Sequence, residues 1–164
     1  MCDSVNQIDA DWRPDDTATL VFVVSESQVL LIRKKRGLGA GKINGPGGKL
    51  EAGESLAACA IREIQEEVRI TVNDVSARGV LRFQFLDGYK MEVHVFVSNT
   101  YEGEPEETEE ALPFWCNLSS LPFDQMWADD RYWLQPVLDG HRVEGRFVFD
   151  GDKLLDHHVC IDPA

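Results

Sequence analysis

The sequence predicts an α/β fold, a mixed β-sheet sandwiched between helices in an α/β/α arrangement. Three observations predict it: short β-branched and apolar runs come in pairs around turn residues, a 3.6-residue apolar period marks one long helix, and a second helical stretch precedes a last strand pair. With 164 residues and 43% hydrophobic side chains, the chain can bury one sizeable core but is short for two domains. Residues 1–16 mix polar and acidic side chains with Pro14 and show no sustained period, so they are expected to be a flexible N-terminal arm. Residues 17–164 are then expected to form a single domain.

Thr19 to Val24 and Val29 to Ile32 read as two strands joined by a turn at Ser25 to Gln28. Lys34 to Gly48 contains six glycines and one proline, which excludes regular structure and predicts a shaped loop. From Ser55 to Val68 the period becomes helical: Ala57, Ala60, Ile61, Ile64 and Val68 share a stripe, with Ser55 placed to cap the N-terminus. Val80 to Phe85 and Met91 to Val97 form the next strand pair, turning at Asp87 and Gly88. A helix from about Asp129 to Leu138 ends at Gly140, and Arg142 to Phe149 with Lys153 to Val159 closes the chain as a hairpin.

The formal net charge of −13 argues against a nucleic acid polymer as partner, because affinity for one comes from Lys and Arg neutralising phosphates. A small phosphorylated ligand bridged to carboxylates by metal ions remains compatible with it. Much of Glu102 to Glu110 reads as a solvated acidic loop. Neither a membrane-spanning run nor a secretory leader is evident, so a soluble cytoplasmic protein is expected, and a monomer is the expected state. Cys2, Cys59, Cys116 and Cys160 are scattered without a C-x-x-C pair and are expected to be reduced thiols, Cys59 as a small packing residue.

Glu63, Glu66 and Glu67 stand at i, i+3 and i+4 of the long helix, so their carboxylates share one face and repel one another. Solvent screening or a bound cation relieves such a cluster, and a solvated face with Arg62 paired to Glu66 is the plain alternative. The loop ahead of the helix brings Gly47, Gly48, Gly53 and Glu54 to its N-terminus. Gly48, five residues, Glu54, seven residues, then Arg62-Glu63-Ile64-Gln65-Glu66-Glu67 and Ile70 resembles the Nudix box, G-x5-E-x7-R-E-U-x-E-E-x-G-U with U aliphatic. Arg69 departs from it where the pattern has glycine, a position suited to a left-handed helix end.

That resemblance implies a Nudix fold and a pyrophosphohydrolase needing magnesium, or manganese. It implies that Glu63, Glu66 and Glu67 bind the metal, with Gly48 contributing, Glu54 nearby and Arg62 orienting the acids. Thr19 to about Asp156 further resembles the branch of the family that hydrolyses oxidized purine nucleoside triphosphates, the MutT-type 8-oxo-dGTP diphosphatases. Lys34-Lys35-Arg36-Gly37, Gly39-Ala40-Gly41, Asn44-Gly45, Val93-His94-Val95-Phe96 and Met126-Trp127 with Asp129-Asp130 and Tyr132-Trp133 carry the likeness. It implies that Asn44, Asp129 and Asp130 bond the base edge, that Trp127 stacks on the base, and that Thr19, Lys34, Phe83 and Met91 line the pocket. Glu110 matches an acid placed near the metals.

Physical chemistry supports the aspartate pair independently: two adjacent, partly buried carboxyls cannot both ionise cheaply, so one can donate to a purine while the other accepts. Helix capping is the alternative for both. Phe85 and Trp133 suit either the slot or the core, and His94 suits packing within its strand. Leu38 and a shorter loop between Phe85 and Met91 depart from the branch at the pocket wall. The expected activity is hydrolysis of an oxidized purine nucleoside triphosphate to the monophosphate and pyrophosphate, as nucleotide-pool sanitation. The alternatives are a Nudix pyrophosphohydrolase acting on ADP-ribose, a dinucleotide or a capped RNA end, and a nucleotide-binding sensor without catalysis.

Overall fold

The computed structural model describes residues 4–163, and Cys2 lies outside the described residues. Alternation of side chains along extended backbone explains how one central strand serves two cores. In β1 (Asp16–Ser25), Val21 and Val23 face one apolar cluster while Phe22 faces another. Around it lie β2 (Gln28–Lys34), β3 (Ile43–Asn44), β4 (Gly47–Lys49), β5 (Ser76–Phe85), β6 (Lys90–Ser98), β7 (Ala111–Asn117), β8 (Arg142–Asp150) and β9 (Lys153–Asp162). The strand order is β3-β2-β1-β6-β5-β8-β9, with β4 added to β1 and β7 to β2. The sheet is mixed: β1 runs parallel to β6 and β5 parallel to β8, while the hairpins are antiparallel.

Helix α1 (Leu56–Val68) lays Ala60, Ile64 and Val68 against Val21, Val23, Leu30 and Ile32. Each fully buried Val, Leu or Ile among them stabilises the fold by about 1.5–3 kcal/mol. Helix α2 (Asp130–Leu138) covers the other face through Trp133, Leu134 and Val137, which pack with Phe22, Leu81 and Phe147. The expected α/β/α layering is therefore present. Ser55 caps α1 by accepting from the Ala58 amide at 3.1 Å, as its position predicts. Ala57, expected in the apolar stripe, is exposed, and Leu56 packs on the core in its place. Among the described residues no helix is long and apolar enough to cross a membrane.

Three expectations need correction. The segment 34–48 is not wholly irregular, because Ile43 and Asn44 pair with β2 and Gly47 and Gly48 pair with Leu20 and Thr19 of β1. A strand that periodicity does not reveal, β7, joins the outer side of β2. The described part of the N-terminal arm is docked, not loose. Val5 and Ile8 are buried against Val148, the Trp12 indole donates to Gln84 at 3.0 Å, and the Val5 amide donates to Asp156 at 2.8 Å. A short 3-10 turn at Val5–Gln7, capped by Ser4, shapes that contact.

Candidate active site

The site begins where β4 leads into α1. Gly47 lies so close to β1 that a Cβ there would meet the Thr19 carbonyl oxygen at 1.9 Å, and a Cβ on Gly48 would meet Glu63 Oε2 at 2.2 Å. Glycine is what lets the Glu63 carboxylate rest against the backbone of the loop. One turn further along α1, Glu67 is buried and its Oε2 accepts from the Gly47 amide at 3.2 Å. Burial pushes the Glu67 carboxyl up to about 7, although the Gly47 amide and Lys34 oppose the shift. Burial likewise raises Glu63, with Arg62 opposing.

Arg62 organises these acids. Its Nε donates to Glu54 Oε2 at 2.6 Å and its Nη2 to Glu54 Oε1 at 2.9 Å, a two-pronged pair that holds Glu54 down to about 2. Its Nη1 reaches Glu63 at 2.6 Å and Glu66 at 3.2 Å, and its Nη2 also donates to the Lys49 carbonyl at 3.1 Å. The reach to Glu66 agrees with the plain expectation for an i, i+4 pair, but the bidentate grip on Glu54 ties loop to helix.

Glu63, Glu66, Glu67 and Gly48 line one cavity of about 900 Å³, and Glu110 lines it from the acidic loop. That loop is not simply solvated. Thr108 Oγ1 donates to the Glu67 carbonyl at 2.7 Å and the Glu106 amide to the Val68 carbonyl at 2.9 Å, so it wraps the end of α1. Arg36 pairs with Glu110 and lowers its pKa. Among the described residues no three His, Cys, Asp or Glu groups converge as a closed metal-ligand set. The acids nonetheless suit a hard divalent cation: they are all oxygen donors, Glu63 lies in a cradle that only glycine permits, and Glu67 ionises reluctantly without a positive partner.

A second cavity of about 650 Å³ shares Lys34, Arg36, Gly47, Gly48, Glu67 and Glu110 with the first. Asn44, Asp129, Asp130, Trp127, Thr19, Lys34, Phe83 and Met91 all line it, as do Phe85, Trp133 and Leu38. Asn44 Oδ1 accepts from the Gly45 amide at 2.8 Å, which leaves its amino group as a donor. Gly39, at φ 82°, is packed on Trp127 so tightly that a Cβ would meet the indole nitrogen at 2.7 Å, and Lys42 Nζ stands 5.3 Å from the ring centroid. The glycine-rich loop thus sets the indole plane.

Asp129 and Asp130 are 2% and 3% exposed. Asp129 Oδ2 accepts from the Trp133 indole at 2.7 Å, and Asp129 makes no side-chain capping bond to α2. Burial raises both carboxyls, and Asp130, hydrogen-bonded to Asp129, is held the higher by its neighbour's charge. Asp130 Oδ2 is buried without a hydrogen-bond partner. A buried, unsatisfied polar atom in a cavity wall is poised for a ligand.

Sequence reasoning missed Tyr89 and Lys49, which also line the second cavity. Tyr89 directly follows the Asp87-Gly88 turn, which marks it as a turn residue but gives no sign of the cavity it lines. His94 is bonded to Glu92 at 2.8 Å, in keeping with a role inside its strand. Cys59 is buried in α1, bonded to Thr19 at 3.4 Å.

A NUDIX domain model matches residues 14–136. The chain is 44% identical over 141 residues to an oxidized purine nucleoside triphosphate hydrolase of Danio rerio, covering 85% of this chain and 90% of the relative. It is 40% identical over 143 residues to the protein of the same name from Mus musculus, covering 86% and 92%. A mutator MutT protein from Bacillus halodurans superposes with a TM-score of 0.80 at 30% identity, covering 88% of this chain and 97% of that structure.

Proposed function

The chain belongs to the NUDIX hydrolase family, and we propose from that premise that it hydrolyses oxidized purine nucleoside triphosphates to the monophosphate and pyrophosphate. The single observation that carries the substrate is the adjacent pair of cavities: a carboxylate-lined one for metal and phosphates, sharing Gly47, Gly48 and Glu67 with an aromatic slot whose lining includes two buried aspartates. Cleaning oxidized bases from the nucleotide pool, as a monomer in the cytoplasm, belongs to the same reading. The free thiols Cys59, Cys116 and Cys160 suit a reducing compartment.

Glu63, Glu66 and Glu67 would hold magnesium, or manganese, with Glu110 beside them. When bound, the ion neutralises phosphate charge and acidifies an attacking water. Glu54 and Arg62 keep the acids in register. Lys34, lining both cavities, faces the junction where the triphosphate would pass. Trp127 supplies a stacking face, and Asn44 supplies a donor. Asp130, kept protonated by burial and by its neighbour's charge, donates to a purine acceptor, while ionised Asp129 accepts from a purine N–H. Such a pair can read more than one oxidized purine, 8-oxo-guanine and 2-hydroxyadenine among them.

The test is turnover of 8-oxo-dGTP with magnesium, set against dGTP, ADP-ribose and diadenosine polyphosphates. The oxidized triphosphate is expected to give the highest kcat/KM, and pyrophosphate should appear with the monophosphate. Glu67→Gln should lower kcat at least about a hundredfold, since metal and charge stabilisation supply several kcal/mol of the barrier reduction. Preference for ADP-ribose or a dinucleotide would overturn the substrate reading, and full activity of Glu67→Gln would overturn the site.

A further inference from the structure

The turn between β5 and β6 is pinned from several sides. The Tyr89 amide donates to Asp87 Oδ1 at 2.9 Å, the Phe85 amide to the Tyr89 carbonyl at 2.9 Å, and Gly88 takes φ 102°. Asp15, just before β1, exchanges two bonds with Lys90: its amide donates to the Lys90 carbonyl at 2.8 Å, and the Lys90 amide donates to its carboxylate at 3.0 Å. Between these anchors the Tyr89 ring leans on Phe85, centroid to centroid 5.8 Å, and lines the base cavity. Its hydroxyl donates to Asp16 Oδ2 at 2.8 Å, and the same oxygen accepts from Lys49 Nζ at 3.2 Å.

This arrangement joins two places that the chemistry needs to keep in step. Lys49 also lines the base cavity, and its carbonyl receives the Arg62 guanidinium that grips Glu54. With its hydroxyl committed to Asp16, Tyr89 offers the slot its ring. Phe85, Met91 and Trp127 extend that apolar wall, and an aromatic wall favours a flat base large enough to reach it.

We infer that Tyr89, braced by Asp16 and Lys49, is a specificity-determining residue of the base slot that favours purine-sized bases over smaller ones by contact with its ring. Asp16 is a positioning residue that acts through Tyr89. The inference rests on the proposed oxidized-purine activity. It adds a wall residue supplied by the β5–β6 turn and a brace that reaches it from the start of β1.

Two measurements test it on the full chain. The first is kcat/KM for 8-oxo-dGTP and dCTP, and the second is calorimetric binding of 8-oxo-dGMP with divalent ions removed, which reads the base slot without catalysis. Tyr89→Ala should lower the 8-oxo-dGTP to dCTP ratio about tenfold, through KM for the oxidized purine, and weaken 8-oxo-dGMP binding by a similar factor. Tyr89→Phe and Asp16→Ala keep the ring but break the tether, and each should weaken 8-oxo-dGMP about threefold. The double variant should be no weaker than Asp16→Ala alone, because that change already removes the one bond that Tyr89→Phe removes. An unchanged ratio in Tyr89→Ala, or a loss carried by kcat alone, would overturn the inference. If the parent protein neither hydrolyses 8-oxo-dGTP nor binds 8-oxo-dGMP, the substrate reading fails instead.

Discussion

Asp129 and Asp130 line the second cavity at a cost to the folded state. Burial raises Asp129 to about 6 from the ordinary 3.8, so between these values the folded chain binds a proton that the unfolded chain releases. Stability linked to this carboxyl is therefore fully present below about pH 4 and is lost as pH rises through about 6. Asn at position 129 cannot ionise and escapes that loss. The difference in melting temperature between Asp129→Asn and the parent should be near zero at about pH 4 and grow to at least about 2 °C by about pH 8, since about 1 kcal/mol shifts a domain of this size by that much. An offset independent of pH would show that Asp129 does not carry the penalty. The pair was legible as adjacent acids following a tryptophan, and so were the box acids, because spacing alone puts Glu63, Glu66 and Glu67 on one helix face. Tyr89 and the Arg36–Glu110 pair were not legible. Each joins segments far apart in sequence, and no local period encodes such a meeting.

At the scale of elements, the end of α1 carries a local conflict that the fold tolerates. Arg69 takes φ 66°, ψ 24° at the C-cap while its amide donates to the Gln65 carbonyl. This left-handed conformation costs a side-chain-bearing residue about 1 kcal/mol, and glycine adopts it freely. Arg69→Gly is therefore expected to raise the melting temperature by about 1–3 °C, part of the gain being offset by the greater entropy of glycine in the unfolded chain. A fall in scanning calorimetry would mean that the Arg69 side chain contributes contacts outweighing the strain. The missing glycine of the box was legible as a helix end that either strains Arg69 or leaves by another geometry, and the structure takes the strained one, while the long strands and both helices could be read from their periods. β3 and β4 escaped because strands of two and three residues have no measurable period and lie among glycines. β7 escaped because Pro113 interrupts it, although a strand paired only to β2 can place a residue without an amide on its open side.

Across the whole molecule, the family match begins at residue 14, while packing begins earlier. Val5 and Ile8 close an apolar cluster on Val148 of β8, on the part of the sheet that β9 flanks, and Trp12 ties the same segment to Gln84 of β5. Polar composition disguised this segment as an arm, because a few apolar anchors spaced by acids carry no period yet can still bury their side chains. Its contribution should be to stability more than to chemistry, since no residue from 4 to 15 lines either cavity. Ile8 is 3% exposed, and truncating such a side chain to alanine costs about 2–4 kcal/mol, or roughly 4–16 °C in melting temperature for a domain of this size. Ile8→Ala and a chain starting at residue 14 should both melt lower, the truncated chain by more because it also loses Val5 and the Trp12 bond to Gln84. Well below those melting points, both should still release pyrophosphate from 8-oxo-dGTP in a metal-dependent reaction. Unchanged melting would mean that the segment detaches in solution. Lost turnover in a chain that remains folded would mean that the segment shapes the active site, through Gln84 and the β5–β6 turn that carries Tyr89.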